Sequence, residues 1–406
     1  MAKKKKPIPL KKGVSAFHLI GKVKIGDNAF SIDSEGSSSD YIYSRANIGV
    51  DTGNGNVVYA NLMGGYFAEN DNVIYVHGKD ENDKDDYSNS FTVDWEDRFD
   101  EDILKTVGKG CFISVGIEKT SKGKTFTKTF LSAYDAIEYL SEHLTNDTVV
   151  SVRGNLQYQY YQDSVTVNKN ITSIYITNAE PEKYCAKFEQ TILLDSDSIG
   201  KLDKEKGTYT IDAYIVDYVS KIDGEPIKQN VSFFKSFELE LNKNKPELTK
   251  KVLDKYFKVK KKDGIVELGV EGVLQEGASI TTVSIDDLPD DLKDLLELEL
   301  ITEEEALAKC TDGKKERRMI ITKPLARKSG EDENVTVTIV RDEDKYTRDD
   351  LVFIESLINT DNDDNDSAVN KNDYPDDDSD DLPFDLDDDS DDEEDDLMAL
   401  LMGDED

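Results

Sequence analysis

Cysteine and histidine are both scarce in this chain of 406 residues, which contains three of each. The cysteines, Cys111, Cys185 and Cys310, stand far apart and form no CxxC pair, so the sequence indicates neither a disulfide framework nor a zinc site. The histidines are equally dispersed and no HExxH motif is present, which argues against a metallohydrolase. We therefore expect no metal ion and no other cofactor.

The sequence also lacks the short motifs of nucleotide-dependent and nucleophilic enzymes. The nearest approach to a phosphate-binding loop is Gly123-Lys124-Thr125, but Glu118 stands where the first glycine of that motif belongs. Neither a GxSxG turn nor a dinucleotide-binding glycine pattern is present. The sequence therefore predicts a protein without enzymatic activity and without catalytic residues.

Long apolar runs are absent as well. No stretch approaches the ~18 apolar residues of a membrane-spanning helix. The lysine-rich start is not followed by the apolar segment of a secretory signal. We expect a cytoplasmic protein that does not engage a membrane.

Negative charge is in excess, and it is unevenly distributed. Asp and Glu number 87 against 50 Lys and Arg, which gives a net charge of −37. Residues 361–406 hold 23 of the acids and one base, so we predict a disordered acidic tail over residues 360–406. Residues 1–12 hold six lysines, which predicts a flexible basic arm over residues 1–13. That arm is either a solvated terminus or a segment that contacts phosphates.

The first half of the chain has the patterns of β-strands. Residues 41–50 and 56–62 flank a glycine-rich turn and predict a hairpin, whereas the acidic residues 79–90 predict an exposed loop. A second hairpin is predicted over residues 111–117 and 124–130, followed by a short helix over residues 134–144. Two more strands, 149–161 and 165–176, complete this half.

The second half repeats this order of elements. The motif Val152-Arg153-Gly154-Asn155-Leu156-Gln157 matches Val270-Glu271-Gly272-Val273-Leu274-Gln275, and each copy begins shortly after a predicted helix. An acidic helical insert is predicted over residues 286–309. The match and the element order favour an internal duplication.

Three strands, a short helix and two further strands describe a five-stranded Greek-key barrel of the OB type. The predicted fold is therefore mainly β, with two tandem OB-like barrels and short helices. We place the first barrel at residues 14–180 and the second at residues 184–330. Residues 331–359 form a connector to the tail, with its structure left open.

Lysine, arginine and aromatic residues interleave in the predicted strands, which is the combination that a single-stranded nucleic acid requires. Cations neutralise phosphates, and exposed rings stack on bases without sequence preference. Each ring has the alternative of packing in the barrel core, and each cation that of ordinary surface charge. The candidate residues are Tyr43, Arg45, Tyr59, Lys122, Lys124, Phe126, Lys128, Arg153, Tyr158 and Tyr160.

Near the end of the chain, several aspartates precede Leu382-Pro383-Phe384. This segment resembles the acidic tip of bacterial and phage single-stranded DNA-binding proteins, and the order of barrel and tail resembles that family too. The resemblance implies that the barrels coat single-stranded DNA in replication, recombination and repair. It also implies that Asp380, Asp381, Leu382, Pro383 and Phe384 bind replication or recombination proteins.

Two features depart from the family. Phe384 is not the last residue, because 22 residues follow it, and the chain carries a second predicted barrel. The second barrel and the length of 406 residues point to a large phage or mobile-element form. The alternative is an acidic scaffold or DNA mimic that binds a DNA-processing enzyme instead of DNA, a reading favoured by the negative charge outside the tail and opposed by the interleaved lysines and aromatic residues.

Overall fold

The computed structural model describes residues 7–36, 39–161, 164–204, 206–222, 225–240, 245–261, 264–278, 290–298, 300–302, 315–329, 336–354 and 357. The fold is mainly β with a few short helices, which confirms that part of the prediction. The described strands are β1 (Ser15–Lys24), β2 (Phe30–Glu35), β3 (Tyr41–Asp51), β4 (Val57–Phe67), β5 (Val73–Lys79), β6 (Asp85–Asp94), β7 (Ile113–Lys119), β8 (Thr125–Phe130), β9 (Val149–Tyr161), β10 (Ser164–Ile176), β11 (Cys185–Leu194), β12 (Ile199–Asp203), β13 (Thr208–Ile222), β14 (Glu225–Glu240), β15 (Gly264–Ala278), β16 (Lys315–Pro324), β17 (Ala326–Ser329), β18 (Thr336–Ile339) and β19 (Arg341–Thr347). The described helices are α1 (Glu101–Leu104), α2 (Ala133–His143), α3 (Pro246–Val252) and α4 (Asp290–Glu297).

Five strands of the first half close on themselves in the order β1–β3–β4–β10–β9, with β9 returning to β1. The β4–β10 pairing, at Asn61 and Asn170, is parallel, and the other four pairings are antiparallel. We call this circuit the first barrel. Its β3–β4 hairpin is the one predicted, and the turn residues Gly53, Asn54 and Gly55 all have positive φ.

Strands of the second half form an equivalent circuit, β11–β13–β14–β16–β15, with β15 returning to β11. Again the pairing that joins the third and fifth strands, β14–β16, is parallel. We call this circuit the second barrel. The same sequence of antiparallel and parallel pairings therefore occurs twice in the chain.

The two barrels are joined because their first strands, β1 and β11, pair antiparallel. Phe17 lies opposite Phe188 in this pairing, and both rings are buried. On the outer sides, Phe17 faces Gly154 of β9 and Phe188 faces Gly272 of β15. These glycines occupy the same position in the repeated sequence motif. In both halves, the motif glycine therefore lies opposite the buried phenylalanine of the first strand.

Helix α2 is amphipathic and packs against the first barrel. The Ser132 side chain caps its start by accepting a hydrogen bond from the Tyr134 amide. Ile137 and Leu140 are fully buried, as their helical spacing predicts. None of the described helices is long and apolar enough to cross a membrane.

Within residues 79–90, predicted as an exposed loop, residues 80–84 form an exposed turn as predicted, whereas residues 85–90 belong to strand β6, which pairs with β5. The prediction failed for residues 85–90 because it relied on the acidic composition of the segment. Asp85 is drawn into the hairpin, since one of its carboxylate oxygens lies 3.1 Å from His77 Nε2 and the Gly110 amide donates to it. The His77 ring in turn contacts Cys111, with 3.2 Å between Nδ1 and Sγ.

Residues 7–13, predicted to belong to the flexible arm, are docked on the second barrel. Leu10 is buried in a small core with Val216, Tyr346 and Leu351. The Ile8 amide donates to Asp350 at 2.7 Å, and Lys12 forms a 2.7 Å ion pair with the buried Asp217. The prediction rested on the polar composition of the segment. The burial of Leu10 and the ion pair of Lys12 hold the segment against the second barrel.

Candidate nucleic-acid interface

Three of the candidate residues lie on the outer face of the β3–β4 hairpin, spread along its length. Side chains alternate along each strand, so Ala46 and Val58 point into the first barrel while Arg45 and Tyr59 point outward. Tyr43 shares the outward face of β3 with Arg45. Arg45 is exposed and Tyr59 is 42% exposed, so both a cation and a ring are presented to solvent on this face.

Backbone features position the Tyr59 ring. Its cross-strand partner is Gly49, and a Cβ atom added there would lie 3.2 Å from Tyr59 Cε1. The ring therefore lies over the space that the missing side chain leaves. On its other side, the Tyr59 amide donates to Glu276 of the second barrel at 3.4 Å.

A groove of about 390 Å³ adjoins Tyr59. It is lined by Lys24, Ile25, Gly26, Tyr59, Asn146 and Asp147. Lys24 Nζ lies 3.2 Å from the Asp147 carboxylate, and both side chains are exposed, so an incoming phosphate can compete for this lysine. Lys24 was not among the sequence candidates, because nothing in the local sequence shows that it lies beside Tyr59.

Tyr43 is a less accessible ring than Tyr59. It is half-buried and stacks on Tyr41, with ring centroids 6.1 Å apart and planes inclined by 14°. Tyr41 itself is buried against Phe67. Tyr43 therefore continues a packed aromatic row and presents only part of its surface to solvent.

The β7–β8 hairpin forms a separate group, because β10 lies between it and β4 in the sheet order. Lys122 and Lys124 are exposed, and Phe126 is 46% exposed, as a binding role requires. Lys128 makes a cation–π contact within the protein, since its Nζ lies 3.9 Å from the centroid of the Tyr139 ring. Burial, and then the hydrogen bond that the Tyr139 hydroxyl donates to Glu118, raise the pKa of Tyr139.

Tyr158 is a core residue, and its prediction as a base-stacking ring is wrong. It is 1% exposed, its hydroxyl donates to Gln190 at 3.1 Å, and its amide donates to Asp217 at 2.8 Å. Tyr160 lies on the same side of β9 and is half-buried against the core. The alternation of inward and outward residues that begins at Val152 predicts the inward side of β9 for both Tyr158 and Tyr160.

Arg153 lies on the outer side of β9, away from the β3–β4 face. It is half-buried and aligns across β1 with His18 and, beyond it, with Lys187 of β11. Burial, and then the charges of Arg153 and Lys187, lower the pKa of His18 to about 4. Lys187 was not a candidate, because its neighbours depend on the β1–β11 register, which no local pattern reveals.

Basic residues of the second barrel are largely matched by acids. Arg318 forms a bidentate ion pair with Glu238, and Lys323 lies 2.9 Å from Glu271. Lys261 pairs with Asp344. These contacts favour charge balance over a nucleic-acid patch at those positions. The tail candidates Asp380, Asp381, Leu382, Pro383 and Phe384 lie outside the described residues.

Among the residues that the structure describes, no group of three or more His, Cys, Asp and Glu side chains is arranged to hold a metal ion. Chemically, the β3–β4 face and its groove offer cations, exposed ring surface and backbone polar groups. This combination suits a ligand with negative charges and flat rings.

Comparisons with known proteins relate the chain to a protein family and to solved structures. A family model described as YorF matches residues 113–266, which run from β7 into β15. No curated protein matches the sequence significantly. Among solved structures, the chain is similar to a deletion mutant of the single-stranded DNA-binding protein from Thermus aquaticus, with 12% sequence identity and a TM-score of 0.28. That match covers 65% of this chain and 88% of the Thermus aquaticus chain.

Proposed function

We propose that this protein is a non-enzymatic, sequence-independent single-stranded DNA-binding protein, and that its acidic tail recruits replication or recombination proteins. The observation that carries the proposal is the exposed face of the β3–β4 hairpin, which presents Arg45, Tyr59 and part of Tyr43 along its length. We assign both barrels to the OB type, because a helix, α2 or α3, precedes the fourth strand of each and the third and fifth strands of each pair parallel.

The chemistry of this face suits a single strand better than a duplex. Stacking on Tyr59 requires an unpaired base with an accessible flat surface, and each such stack contributes about 1–3 kcal/mol. Lys24 and Arg45 then neutralise phosphates and release counterions, which makes the affinity depend on salt. Neither interaction distinguishes one base from another.

Replacing Tyr59 with alanine tests the proposal. We expect the affinity for a labelled 30-nucleotide single strand to fall by roughly tenfold, since one stacking ring is lost. Fluorescence anisotropy in the presence of duplex competitor measures this. The matched control is Tyr75→Ala, because Tyr75 is equally exposed at 42% but lies on β5, outside the barrel circuit. Equal affinities for the Tyr59 and Tyr75 variants would remove the β3–β4 face from the site.

Removing residues 360–406 is expected to strengthen single-strand binding. The tail carries 23 acids and one base within residues 361–406, so it competes with DNA for the same cations. The gain over the full-length protein should be several-fold at low salt and should shrink as salt screens the tail. A salt series with both proteins measures it, and a gain independent of salt would contradict competition by charge.

The second candidate function is an acidic DNA mimic or scaffold that binds a DNA-processing enzyme. The ion pairs that neutralise Arg318, Lys323 and Lys261 favour it, because they reduce the positive charge that the second barrel can offer to a phosphate. Failure of both the full-length and the truncated protein to bind the single strand would favour this alternative.

A further inference from the structure

Three residues form one straight row across the junction of the two barrels. Arg153 of β9 and Lys187 of β11 both lie directly opposite His18 of β1, one on each side. Neighbouring strands are spaced by about 4.8 Å, so Arg153 and Lys187 stand about 10 Å apart on a continuous sheet. We call these three residues the junction row.

The junction row carries positive charge at neutral pH. His18 is 5% exposed, and its Nε2 lies 2.9 Å from the Ser151 hydroxyl. Its pKa is lowered to about 4 by burial and by the two flanking cations, so the imidazole is neutral at pH 7 and the charge resides on Arg153 and Lys187. Lys187 is exposed, on the same surface.

Acidic groups near the junction row cancel only part of this charge. Glu189, two residues beyond Lys187, is buried, and burial together with Glu271 raises its pKa to about 7. It is therefore only partly ionised at neutral pH. Glu271 is held by Lys323 at 2.9 Å.

Strand β1 connects the junction row to the candidate groove of the first barrel. His18, Ile20, Lys22 and Lys24 occupy successive outward positions, and both lysines are exposed. Lys24 lines the groove beside Tyr59. With a rise of about 3.3 Å per residue, the six residues from Lys24 to His18 cover about 20 Å.

Part of the equivalent face of the second barrel is covered, although Phe234 of β14 stays 45% exposed there. Phe353 packs on Tyr214 of β13, with ring centroids 5.3 Å apart, and Val352 accepts a hydrogen bond from the Ser232 amide of β14. Leu10 and Val216 are buried together beneath the same segment. The covered part lies on β13 and β14, whereas the junction row lies on β9, β1 and β11.

We propose that the sugar-phosphate backbone of a bound single strand passes from the first barrel along β1 and crosses to the second barrel over Arg153 and Lys187. The ligand class is a phosphodiester chain, and the inference rests on the proposed single-strand binding. According to this inference, one protein chain holds a long single strand across the junction of its two barrels. The contacts at the junction are between charges and involve no aromatic stacking.

The test compares a 10-nucleotide with a 30-nucleotide single strand, because the shorter one fits within the first barrel. OB-type barrels occupy about 4–16 nucleotides each. Lys187→Gln should weaken binding of the 30-mer about threefold, and Lys187→Glu about tenfold or more, while leaving the 10-mer unchanged. The salt dependence of the 30-mer affinity should become shallower, by about 0.7 in the slope of log K against log salt for one lost phosphate contact.

Lys201→Gln is the matched control, because Lys201 is an exposed lysine on β12, at the far edge of the second barrel. Arg153→Gln serves as a second variant and should reproduce the length-dependent loss. Unchanged 30-mer affinity in Lys187→Glu, or an equal loss for both lengths, would overturn the path across the junction while leaving binding at Tyr59 intact. A lack of binding by the unaltered protein would overturn the proposed function and this inference together.

Discussion

Replacing Gly154 with alanine should destabilise the protein by about 3 kcal/mol, at the upper end of the cost of overpacking a core. A Cβ atom at this position would lie 1.9 Å from the backbone oxygen of Asn170 and 2.8 Å from Cε1 of Phe17. The first contact is with the backbone of the paired strand β10, which cannot move without breaking the first barrel. Urea unfolding followed by circular dichroism measures the loss.

The same experiment has an internal repeat and a control. Gly272→Ala should behave alike, because its Cβ would lie 2.3 Å from the Ile320 oxygen and 2.4 Å from the Phe188 ring. Gly26→Ala should be nearly neutral, since no atom lies within 4 Å of a Cβ there. If Gly154→Ala were as stable as Gly26→Ala, the close approach of β9 to β10 would be refuted.

The second large effect concerns Glu189, a residue that is only 4% exposed. One oxygen of its carboxyl group, Oε2, has no hydrogen-bond partner among the described residues. Burial, and then the nearby Glu271, raise its pKa from 4.5 to about 7. An acid with a raised pKa in the folded state binds its proton more tightly there than in the unfolded chain. Its contribution to stability is therefore lost as the pH rises from about 4.5 to 7.

We expect the stability of Glu189→Gln relative to the unaltered protein to increase by about 2–3 kcal/mol between pH 5 and pH 8.5. Glutamine cannot ionise, so the variant escapes the cost that the unaltered protein incurs above neutral pH. Comparing the two pH values removes any constant cost of burying the amide. Urea unfolding at both pH values provides the measurement.

Glu271→Gln is the matched control for Glu189→Gln. Glu271 lies directly across from Glu189, but its carboxylate is paired with Lys323. Its replacement removes a favourable ion pair together with the negative charge that helps to raise the Glu189 pKa, so it should recover at most a small part of the gain that Glu189→Gln shows at high pH. A parallel pH dependence for Glu189→Gln and the unaltered protein would show that Glu189 is ionised at low cost.

The sequence predicted those elements whose patterns are local. The alternation in residues 41–50 and 56–62 located the β3–β4 hairpin, and the spacing of Ile137 and Leu140 located α2. Arg45 and Tyr59 follow from the same alternation, because a period of two residues fixes the face of each side chain. The same alternation predicts the inward position of Tyr158. The polar residues on either side of Tyr158 obscured that prediction.

Contacts between distant segments could not be predicted in this way. Strand β6 is acidic, and only its pairing with β5 and the His77–Asp85 contact make it a strand. Lys187 joins Arg153 only through the register of β1 with both neighbours. Such placements depend on which segments meet, and the local composition carries no information about that.

The docking of residues 7–13 against residues 346–354 has a consequence for the order of folding. The Ile8 amide and its acceptor Asp350 are separated by 342 positions in the chain. Since domains fold as synthesis proceeds from the N-terminus, Leu10 is made long before its partners Tyr346 and Leu351. Until residues 346–354 emerge, Tyr214 and Val216 lack part of their cover, so a nascent chain carries an apolar patch that closes only after those residues have been made.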